Sequence, residues 1–428
     1  MSEPPPLPTP PRSAPLSEEA RLAPLDVLRG VAVLGILYMN IQNFTMPDAA
    51  YSNPTAYGDL HGANFLVWLI GALFFHGKFI ATFSMLFGAG IVLLNERLVG
   101  TGRPALREHF RRNLALLLIG LAHAHLLWSG DILFHYALAG LLLYPFRKMR
   151  PRKLMALGLI FLIIELGIEL RFSSIAAHEQ PDPYSVSRHE FNPPRWLVDW
   201  ELDTFRGSWR EAQQQRFRDS SEQEILGFPF AIFWWCGGLM LIGMALYKWE
   251  FFRAHAPPRV YLACIAVAFG LCLPAVAWEV WLSFELGWNS LQVDRYHGTI
   301  NEITSVPMAL GIASIVMLWC QLRIFAGTAA PRMDRAIFGL SLYDRLAATG
   351  RMALTNYLMQ TIICTTLFYG HGLGLYGYVE RTGQFFITLA IWALQLFWSP
   401  IWLRYFRFGP FEWLWRSATY FRFQPILR

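Results

Sequence analysis

The chain has 428 residues, of which 54% are hydrophobic and only 15% are charged, and it carries 17 tryptophans and 33 phenylalanines. This composition excludes an ordinary soluble domain and is typical of a membrane protein. The formal net charge of +6 does not indicate a nucleic-acid partner, because the basic residues lie in short segments between apolar runs and not in one patch.

The first 24 residues contain eight prolines together with Ser, Glu and Arg. Such a composition buries too little apolar surface to offset the entropy lost on ordering, so residues 1–24 are predicted to form a disordered tail. The acidic residues and the length of this tail disfavour a cleaved signal peptide, and the first apolar run is expected to remain in the mature protein.

Ten apolar runs after the tail are long enough to cross the hydrocarbon core of a membrane. They lie at residues 25–44, 65–94, 113–128, 132–146, 154–170, 228–247, 261–282, 304–320, 352–369 and 385–403. The second run is interrupted at 76–78 (HGK). Either a long helix protrudes from the membrane there, or a short re-entrant segment precedes the true crossing from Phe79 onward. The sequence therefore predicts an all-α polytopic membrane protein with ten transmembrane helices, or eleven depending on this break.

The distribution of charge predicts the orientation. Arginine and lysine fill the connectors at 97–112, 147–153 and 323–351, whereas the loop at 173–226 has ten acidic residues against six arginines. By the positive-inside rule, the basic connectors and both termini are expected in the cytoplasm.

This orientation divides the chain into five regions. They are the tail 1–24, a first set of five spans in 25–172, an extracytoplasmic loop at 173–226, a second set of five spans in 227–405, and a cytoplasmic tail at 406–428. The extracytoplasmic loop is too long for a mere connector and is expected to contain an amphipathic segment that lies on the surface or covers the outer mouth.

Five motifs in this order resemble the YeiB-type bacterial membrane proteins, a family of unknown function. They are 25–30 (LDVLRG) with Asn40 at the far end of the same helix, 83–90 (FSMLFGAG), 130–133 (GDIL), 350–357 (GRMALTNY) and 409–416 (GPFEWLWR). The first and fourth motifs are also similar to the heparan-alpha-glucosaminide N-acetyltransferases, and that resemblance implies transfer of acetyl from cytosolic acetyl-CoA to an amino sugar across the membrane. A near copy of the first motif, LDTFRG at 202–207, precedes no apolar span. The hexapeptide is therefore informative only where it stands at the head of a predicted membrane helix.

An acyl-CoA donor carries phosphates, so its binding site needs fixed cations at the cytoplasmic mouth. The candidates head or flank spans on the predicted inner side: Arg29, Arg111, Arg112 and Arg351, with Asp26 on the same helix face as Arg29. The alternative is that these arginines are positive-inside anchors whose side chains snorkel to the interface.

The acceptor end needs a general base, and histidine is the natural base near neutral pH. His123 and His135 are predicted at similar depth on either side of a tight turn, and Asp131 is spaced to orient His135 from the same helix face. The alternative for Asp131 is a helix cap beside a packed histidine. His123 and His125 point to different helix faces, so they do not form a metal pair, and the five cysteines form no CxxC pair.

Two further histidines are candidate bases. His61 is the histidine of the external loop after the first helix, where the sugar-acetylating relatives carry a catalytic histidine, although a solvated loop histidine is the alternative. His76 and Lys78 flank the break in the second run. Candidate pocket residues are Asn40, Lys78, Asn356 and Gln360, of which Asn356 and Gln360 are one turn apart and are equally typical of contacts between membrane helices.

These features predict an acyltransferase that moves an acetyl or other acyl group from cytoplasmic acyl-CoA to an extracytoplasmic hydroxyl or amine, on a glycan or glycolipid. No permanently bound cofactor and no metal is expected. The expected partners are the bilayer, acyl-CoA and the acceptor, with a homo-oligomer as a further option. The alternatives are a small-solute or proton-coupled transporter, in which the same polar residues form a path, and a membrane sensor or assembly partner without chemistry.

Overall fold

The computed structural model describes residues 22–178, 191–288, 297–328 and 339–428. Within these residues the chain forms helices and no β-strand, apart from one isolated bridge between Phe406 and Leu427. The all-α prediction is therefore confirmed for the described part of the chain. Most of the predicted N-terminal tail, residues 1–21, lies outside it.

The first half of the described chain contains helices α1 (Ala23–Thr45), α2 (Ala49–Ser52), α3 (Gly62–Phe74), α4 (Lys78–Gly100), α5 (Ala105–Leu126), α6 (Leu133–Leu143) and α7 (Pro151–His178). The second half contains α8 (Arg195–Arg206), α9 (Trp209–Glu222), α10 (Phe233–Lys248), α11 (Pro258–Val267), α12 (Leu273–Glu285), α13 (His297–Phe325), α14 (Leu342–Arg351), α15 (Ala353–Phe368), α16 (Arg381–Tyr405) and α17 (Pro410–Tyr420). Two π-helical segments, Gln223–Ile232 and Ala268–Cys272, join α9 to α10 and α11 to α12.

Six helical segments of the described chain are long and apolar enough to cross a membrane. They are Ala23–Thr45, Gly62–Gly100, Trp209–Lys248, Pro258–Glu285, Thr299–Phe325 and Arg381–Tyr405. The protein is thus an integral membrane protein. All ten predicted apolar runs fall on helices, but α6 and α15 have only 11 and 16 residues. The count of ten or eleven crossings stays a prediction.

The predicted interruption at 76–78 is the break between α3 and α4. Gly77 has a φ of +78°, in the left-handed region that favours glycine. A glycine therefore lets the chain turn between the two helices.

The centre of the fold is α1, which packs against α4, α14, α15 and α16. At 23 residues it is about 34 Å long, enough to span the hydrocarbon core. α1 and α14 cross with their backbones in contact, because Gly30 faces Leu346 and Gly350 faces Asp26. A Cβ built on Gly350 would lie 1.8 Å from the Asp26 carbonyl oxygen. The glycines of the first and fourth motifs thus serve the same helix crossing.

The extracytoplasmic loop predicted at 173–226 is largely helical where it is described. α7 extends into it as far as His178, and α9 continues through the π-helical segment into α10. The predicted boundary after residue 226 therefore falls inside one continuous helix. The near copy of the first motif ends α8, where Leu202 and Phe205 are buried and Phe205 contacts the rings of Tyr369 and Tyr376 at 5.0 Å.

Candidate active site

His123 and Asp131 form a buried pair between α5 and α6. The Nδ1 atom of His123 lies 2.7 Å from Oδ1 of Asp131, and the N–H of Phe134 donates to Oδ2 of Asp131 at 2.8 Å. Both residues are only 2% exposed. Because both carboxyl oxygens act as acceptors, we assign a proton to Nδ1 of His123, and in the neutral ring its Nε2 then has a lone pair.

The local sequence explains why these two side chains meet. Gly120 on α5 faces the start of α6, and a Cβ built there would lie 2.3 Å from the Phe134 nitrogen. The two helices therefore approach closely, and the short turn after Leu126 returns Asp131 to the last turn of α5.

The structure contradicts the expectation that Asp131 orients His135. The Nδ1 of His135 is instead 3.0 Å from the backbone oxygen of Asp131, and its ring stacks on Phe228. The reason is that the Asp131 carboxylate caps the N-terminus of α6 and points away from the next turn of that helix. The alternative considered for Asp131, a helix cap, is correct, but its second oxygen also holds His123.

His125 is not part of this pair. Its Nε2 lies 3.2 Å from Oε2 of Glu224, and its ring packs on Phe217. It therefore faces the π-helical segment on another side of α5.

A cavity of about 190 Å³ extends from the region of Arg29 and Arg351 towards the His123–Asp131 pair. One face of α4 lines it from Phe83 to Leu94, a distance of about 16 Å. Its inner end is lined by Ile132, Tyr136 and Tyr357. Most of its wall is apolar, so the cavity suits a long, uncharged chain.

Tyr357 forms the wall between this cavity and His123. Its ring centroid is 5.3 Å from that of His123, and its hydroxyl oxygen is 3.4 Å from the Ile132 nitrogen. The buried pair therefore lies directly behind the inner end of the cavity.

The other end of the cavity adjoins a second space of about 160 Å³, which shares seven lining residues with it and is called here the arginine vestibule. Its charged lining residues are Asp26, Arg29, Arg97, Arg112, Arg351, Glu412 and Arg416. Five guanidinium groups thus face two carboxyl groups. An NH1 atom of Arg29 lies 2.8 Å from Asp26, so the two residues predicted on one helix face form an ion pair. The vestibule carries excess positive charge and attracts anions.

Glu412 has a structural partner outside the vestibule. Its carboxyl oxygens accept the Thr355 N–H at 3.0 Å and the Thr355 hydroxyl at 2.5 Å, so Glu412 caps the N-terminus of α15 from α17. Burial raises the pKa of Glu412, and the hydrogen bonds from Thr355 oppose this shift. The fourth and fifth motifs of the sequence therefore meet in space.

The segment predicted as a cytoplasmic tail is part of the cavity wall. Trp415 donates its indole N–H to the Arg112 carbonyl at 2.7 Å, and the Arg112 guanidinium lies 4.0 Å from the centroid of its ring. Residues 409–416 thus pack on α5 and fix Arg112 in the vestibule.

Of the four arginines predicted to bind the donor, three lie together: Arg29, Arg112 and Arg351. Arg111 does not line the vestibule, and its guanidinium lies over the Phe421 ring, 5.0 Å from the centroid. Arg111 and Arg112 are neighbours on a helix and hence point in different directions. Sequence reasoning treated Arg97 and Arg416 as orientation signals and missed them as site residues.

The two outer histidines lie elsewhere. The side chain of His61 is 94% exposed and lies 2.7 Å from Asp59, and this hydrogen bond lowers the pKa of Asp59. His76 lines a separate cavity of about 40 Å³ on the side that is predicted to face outward, together with Gln42 and Arg381, and this space is called here the outer cavity. Neither histidine lines the large cavity.

The predicted pocket residues have structural contacts. Lys78 is buried and donates to the Asn301 side chain at 2.7 Å and to the Ala72 carbonyl. Asn40 is partly buried and lines none of the three cavities described above.

Asn356 and Gln360 also lie outside these cavities and join helices. Asn356 donates to the Thr349 carbonyl at 3.0 Å and accepts the Trp398 indole N–H at 2.8 Å. Gln360 donates to the Val33 carbonyl at 3.1 Å. Both therefore contribute to contacts between helices, which was the alternative considered for them.

In the part of the chain that the structure describes, no group of three or more His, Cys, Asp or Glu side chains is arranged to hold a metal ion. Thr361 is a site residue that sequence reasoning missed, since its Oγ1 lies 2.9 Å from Nε2 of His123 but 238 positions away along the chain.

The chain was compared with protein families, curated proteins and solved structures. Residues 246–422 match a family described as a protein of unknown function, DUF418. The uncharacterized protein YeiB of Escherichia coli is 34% identical over 92% of this chain and 95% of its own length. The uncharacterized protein YxaH of Bacillus subtilis is 33% identical over 95% of this chain and 96% of its own length. No solved structure matches. The chain belongs to the YeiB-type family of bacterial membrane proteins of unknown function.

Proposed function

We propose that this protein is an acyltransferase that takes an acyl group from an acyl-CoA bound at the arginine vestibule. It passes the group to a hydroxyl or amine on a glycan or glycolipid at the opposite end of the bundle. The observation that carries this proposal is a strongly basic vestibule that adjoins a largely apolar cavity, with a buried His–Asp pair directly behind the inner end of that cavity.

The chemistry of acyl-CoA fits this arrangement. Its phosphates carry several negative charges, which guanidinium groups bind with charge-assisted hydrogen bonds. Its pantetheine arm is long, narrow and uncharged, like the apolar part of the cavity that runs about 16 Å along α4. With the phosphates at Arg29, Arg112 and Arg351, the arm places the thioester beside Tyr136 and Tyr357.

His123 has the properties of a general base. Asp131 holds its Nδ1 proton and stabilises the imidazolium that forms when Nε2 accepts a second proton. The Tyr357 hydroxyl lies at the inner end of the cavity and is placed to donate to the oxyanion of a tetrahedral intermediate. We place the vestibule in the bacterial cytoplasm, where acyl-CoA is made, and the protein in the inner membrane.

Acyl-CoA binding tests the donor site. Acetyl-CoA is titrated into the purified full-length protein in detergent, and the heat of binding is measured. Arg112→Gln is expected to weaken binding about 10-fold or more, because one charge-assisted contact to phosphate is lost. Arg111→Gln is the matched control, since its guanidinium lies outside the vestibule, and it is expected to bind as the parent does.

Turnover tests the reaction itself. The protein in liposomes receives acetyl-CoA labelled in the acetyl group, with glucosamine or a total membrane-lipid extract as acceptor. We expect release of the free coenzyme A thiol and labelled acceptor. Absence of both saturable acetyl-CoA binding and thiol release overturns the proposal, as does an equal loss of affinity in Arg111→Gln and Arg112→Gln.

A transporter is the second candidate, because ionisable groups also meet inside the membrane segments. Lys78 is buried against Asn301, and the carboxyl groups of Glu165 and Glu302 share a hydrogen bond between α7 and α13. Such groups line proton and solute paths in transporters. Uptake of protons or glucosamine by sealed liposomes, without any thiol release from acetyl-CoA, favours this second function.

A further inference from the structure

Three buried side chains from three parts of the chain form one hydrogen-bonded row. Oγ1 of Thr361 on α15 lies 2.9 Å from Nε2 of His123, and Nδ1 of His123 lies 2.7 Å from Asp131. Thr361 is 1% exposed and the other two are 2% exposed. A hydroxyl, an imidazole and a carboxylate in this order match the arrangement that activates a nucleophilic hydroxyl.

The direction of the hydrogen bonds supports this role. With Nδ1 of the neutral His123 ring donating to Asp131, Nε2 has only a lone pair to offer, and in this state the Thr361 hydroxyl is the donor. A threonine inside a helix commonly donates to the carbonyl four residues earlier, as Thr365 does to Thr361. Among the described residues, the hydroxyl of Thr361 has His123 as its partner instead. The Thr361 oxygen is therefore within hydrogen-bond distance of the proposed base.

The row lies beyond the inner end of the donor cavity and does not line the outer cavity. The donor cavity ends at Tyr357, one helical turn or about 6 Å before Thr361 on α15. On the other side, the outer cavity is lined by Gln42 of α1, and its neighbour Asn43 accepts the indole N–H of Trp128, which contacts the His123 ring. The donor cavity and the outer cavity share no lining residue among those described. The donor cavity and the outer cavity are therefore separate, and the row lies behind the end of the donor cavity at Tyr357.

We propose that Thr361 is a nucleophile that carries the acyl group as a covalent ester between the two half-reactions. The inference rests on the proposed acyl transfer and adds to it a mechanism with two displacements. In the first, the Thr361 oxygen attacks the thioester carbonyl carbon while His123 takes the hydroxyl proton. The tetrahedral adduct then breaks its C–S bond, and the coenzyme A thiolate leaves with the proton from His123.

The second displacement reverses these roles. His123 removes a proton from the acceptor hydroxyl or amine, and the acceptor attacks the ester carbon on Thr361. The bond between that carbon and the Thr361 oxygen breaks, and His123 returns the proton to the oxygen. The acyl group leaves on the acceptor, and the row returns to its starting state without an oxidant, a reductant or a metal.

The test is trapping of the ester in the full-length protein in detergent. Labelled acetyl-CoA is added without acceptor, thiol release is followed with a chromogenic reagent, and the protein is digested for mass spectrometry. We expect a burst of up to one thiol per protein molecule and one acetyl group on Thr361 that alkaline hydroxylamine removes and neutral hydroxylamine does not, as is usual for an oxygen ester. Adding acceptor should discharge the label.

Two substitutions and a control refine the test. Thr361→Ser keeps the hydroxyl and is expected to keep the burst, whereas Thr361→Val has similar volume and should lower burst and turnover at least about 100-fold. Thr365→Val, one turn further along α15, is the matched control and should retain both. Thermal unfolding and acetyl-CoA affinity show whether each variant is folded.

Each other outcome has one meaning. Label on His123, or a full burst in Thr361→Val, overturns the assignment of Thr361. Thiol release that occurs only with acceptor present, and without any label, overturns the covalent carrier but leaves acyl transfer standing. Absence of both binding and thiol release in the parent protein overturns the proposed function as well.

Discussion

Asp131 uses its two carboxyl oxygens for different purposes. One oxygen caps α6 through the Phe134 N–H, and the other holds the His123 ring. The first contact contributes to stability, typically by about 1 kcal/mol, whereas the second sets the protonation state of the base. Because one rigid carboxylate makes both contacts, the position of α6 determines the orientation of His123.

Asp131→Asn separates these contributions, because an amide offers one acceptor oxygen where the carboxylate offers two. We expect turnover in the proposed reaction to fall about 100-fold or more, with acetyl-CoA affinity unchanged, since the proton on Nδ1 of His123 is no longer stabilised. Glu224→Gln, at the partner of His125, is the control and should keep the parent's turnover. Unchanged turnover in Asp131→Asn contradicts this role.

Glu201 on α8 lies at the end of the bundle opposite the arginine vestibule, and its protonation makes the stability of the fold depend on pH. Its Oε1 accepts the Tyr376 hydroxyl at 2.8 Å and the Asp48 N–H at 3.0 Å. Burial, with a smaller effect of the nearby Asp48 charge, raises the pKa of Glu201 to about 8 from 4.5. The folded protein therefore binds this proton more tightly than the unfolded chain does.

The sign of the pH effect follows from linkage. The stabilising contribution of protonated Glu201 is complete below pH 4.5 and is lost as the pH rises towards 8. We expect the thermal midpoint in detergent to fall between pH 5 and pH 8, with a cost of roughly 1–3 kcal/mol from this residue. Glu201→Gln should flatten this dependence. The control Asp199→Asn, an exposed carboxyl on the same helix, should not. A parent-like slope in Glu201→Gln contradicts the assignment.

At the level of helices, glycines determine how closely the central elements pack. Besides the crossing of α1 and α14, α4 and α10 meet at Gly88 and Gly243, where a built Cβ would lie 2.0 Å and 1.9 Å from opposing carbonyl oxygens. Small residues at such crossings allow backbone contact inside a membrane. α4 lines the donor cavity, and α14 carries Arg351, so these crossings also shape the site.

Gly350→Ala tests the crossing of α1 and α14. The new methyl group would lie 1.8 Å from the Asp26 carbonyl oxygen, and helix backbones shift only at a cost. We expect a loss of at least about 1–3 kcal/mol in stability, seen as a lower thermal midpoint. Gly167→Ala on α7 meets no atom within 4 Å and should be neutral or slightly stabilising. Equal midpoints in the two variants contradict a tight crossing.

At the scale of the whole molecule, the sequence predicted where the helices lie better than which residues contact each other between helices. The apolar runs, the break at 76–78 and the shared helix face of Asp26 and Arg29 follow from periodicity and local spacing. The row around His123 does not, because Thr361 is distant in sequence. Local spacing also assigned Asp131 to the wrong histidine, since capping of α6 competes for the same carboxylate.

The same contrast holds at the basic end. Net charge predicted which segments are basic, and three of the four proposed arginines line the vestibule. The sequence did not predict that α17 completes the wall of the donor cavity. The reason is that the Trp415 contact with Arg112 joins residues 303 positions apart. The position of α17 depends on the capping of α15 by Glu412, which local patterns do not encode.

The structure has two distinct ends. The start of α1, the end of α4 and the segment after α16 meet at the arginine vestibule, through Leu22, Arg97 and Phe408. At the far end, Tyr376 contacts Met46, and Arg381 donates to the carbonyls of Pro54 and Asp59. Since acyl-CoA is a cytoplasmic metabolite, the proposed function requires the vestibule to face the cytoplasm.

Two matched cysteine variants test this orientation in intact cells. Thr101→Cys lies in the exposed connector between α4 and α5, and Thr55→Cys is exposed between α2 and α3. The positive-inside rule predicts that a membrane-impermeant maleimide labels Thr55→Cys from outside, and labels Thr101→Cys only after permeabilisation. The parent protein is the control, because its five cysteines are buried or partly buried. The reverse pattern would place the vestibule outside the cell, away from any acyl-CoA, and would remove the donor from the proposed reaction.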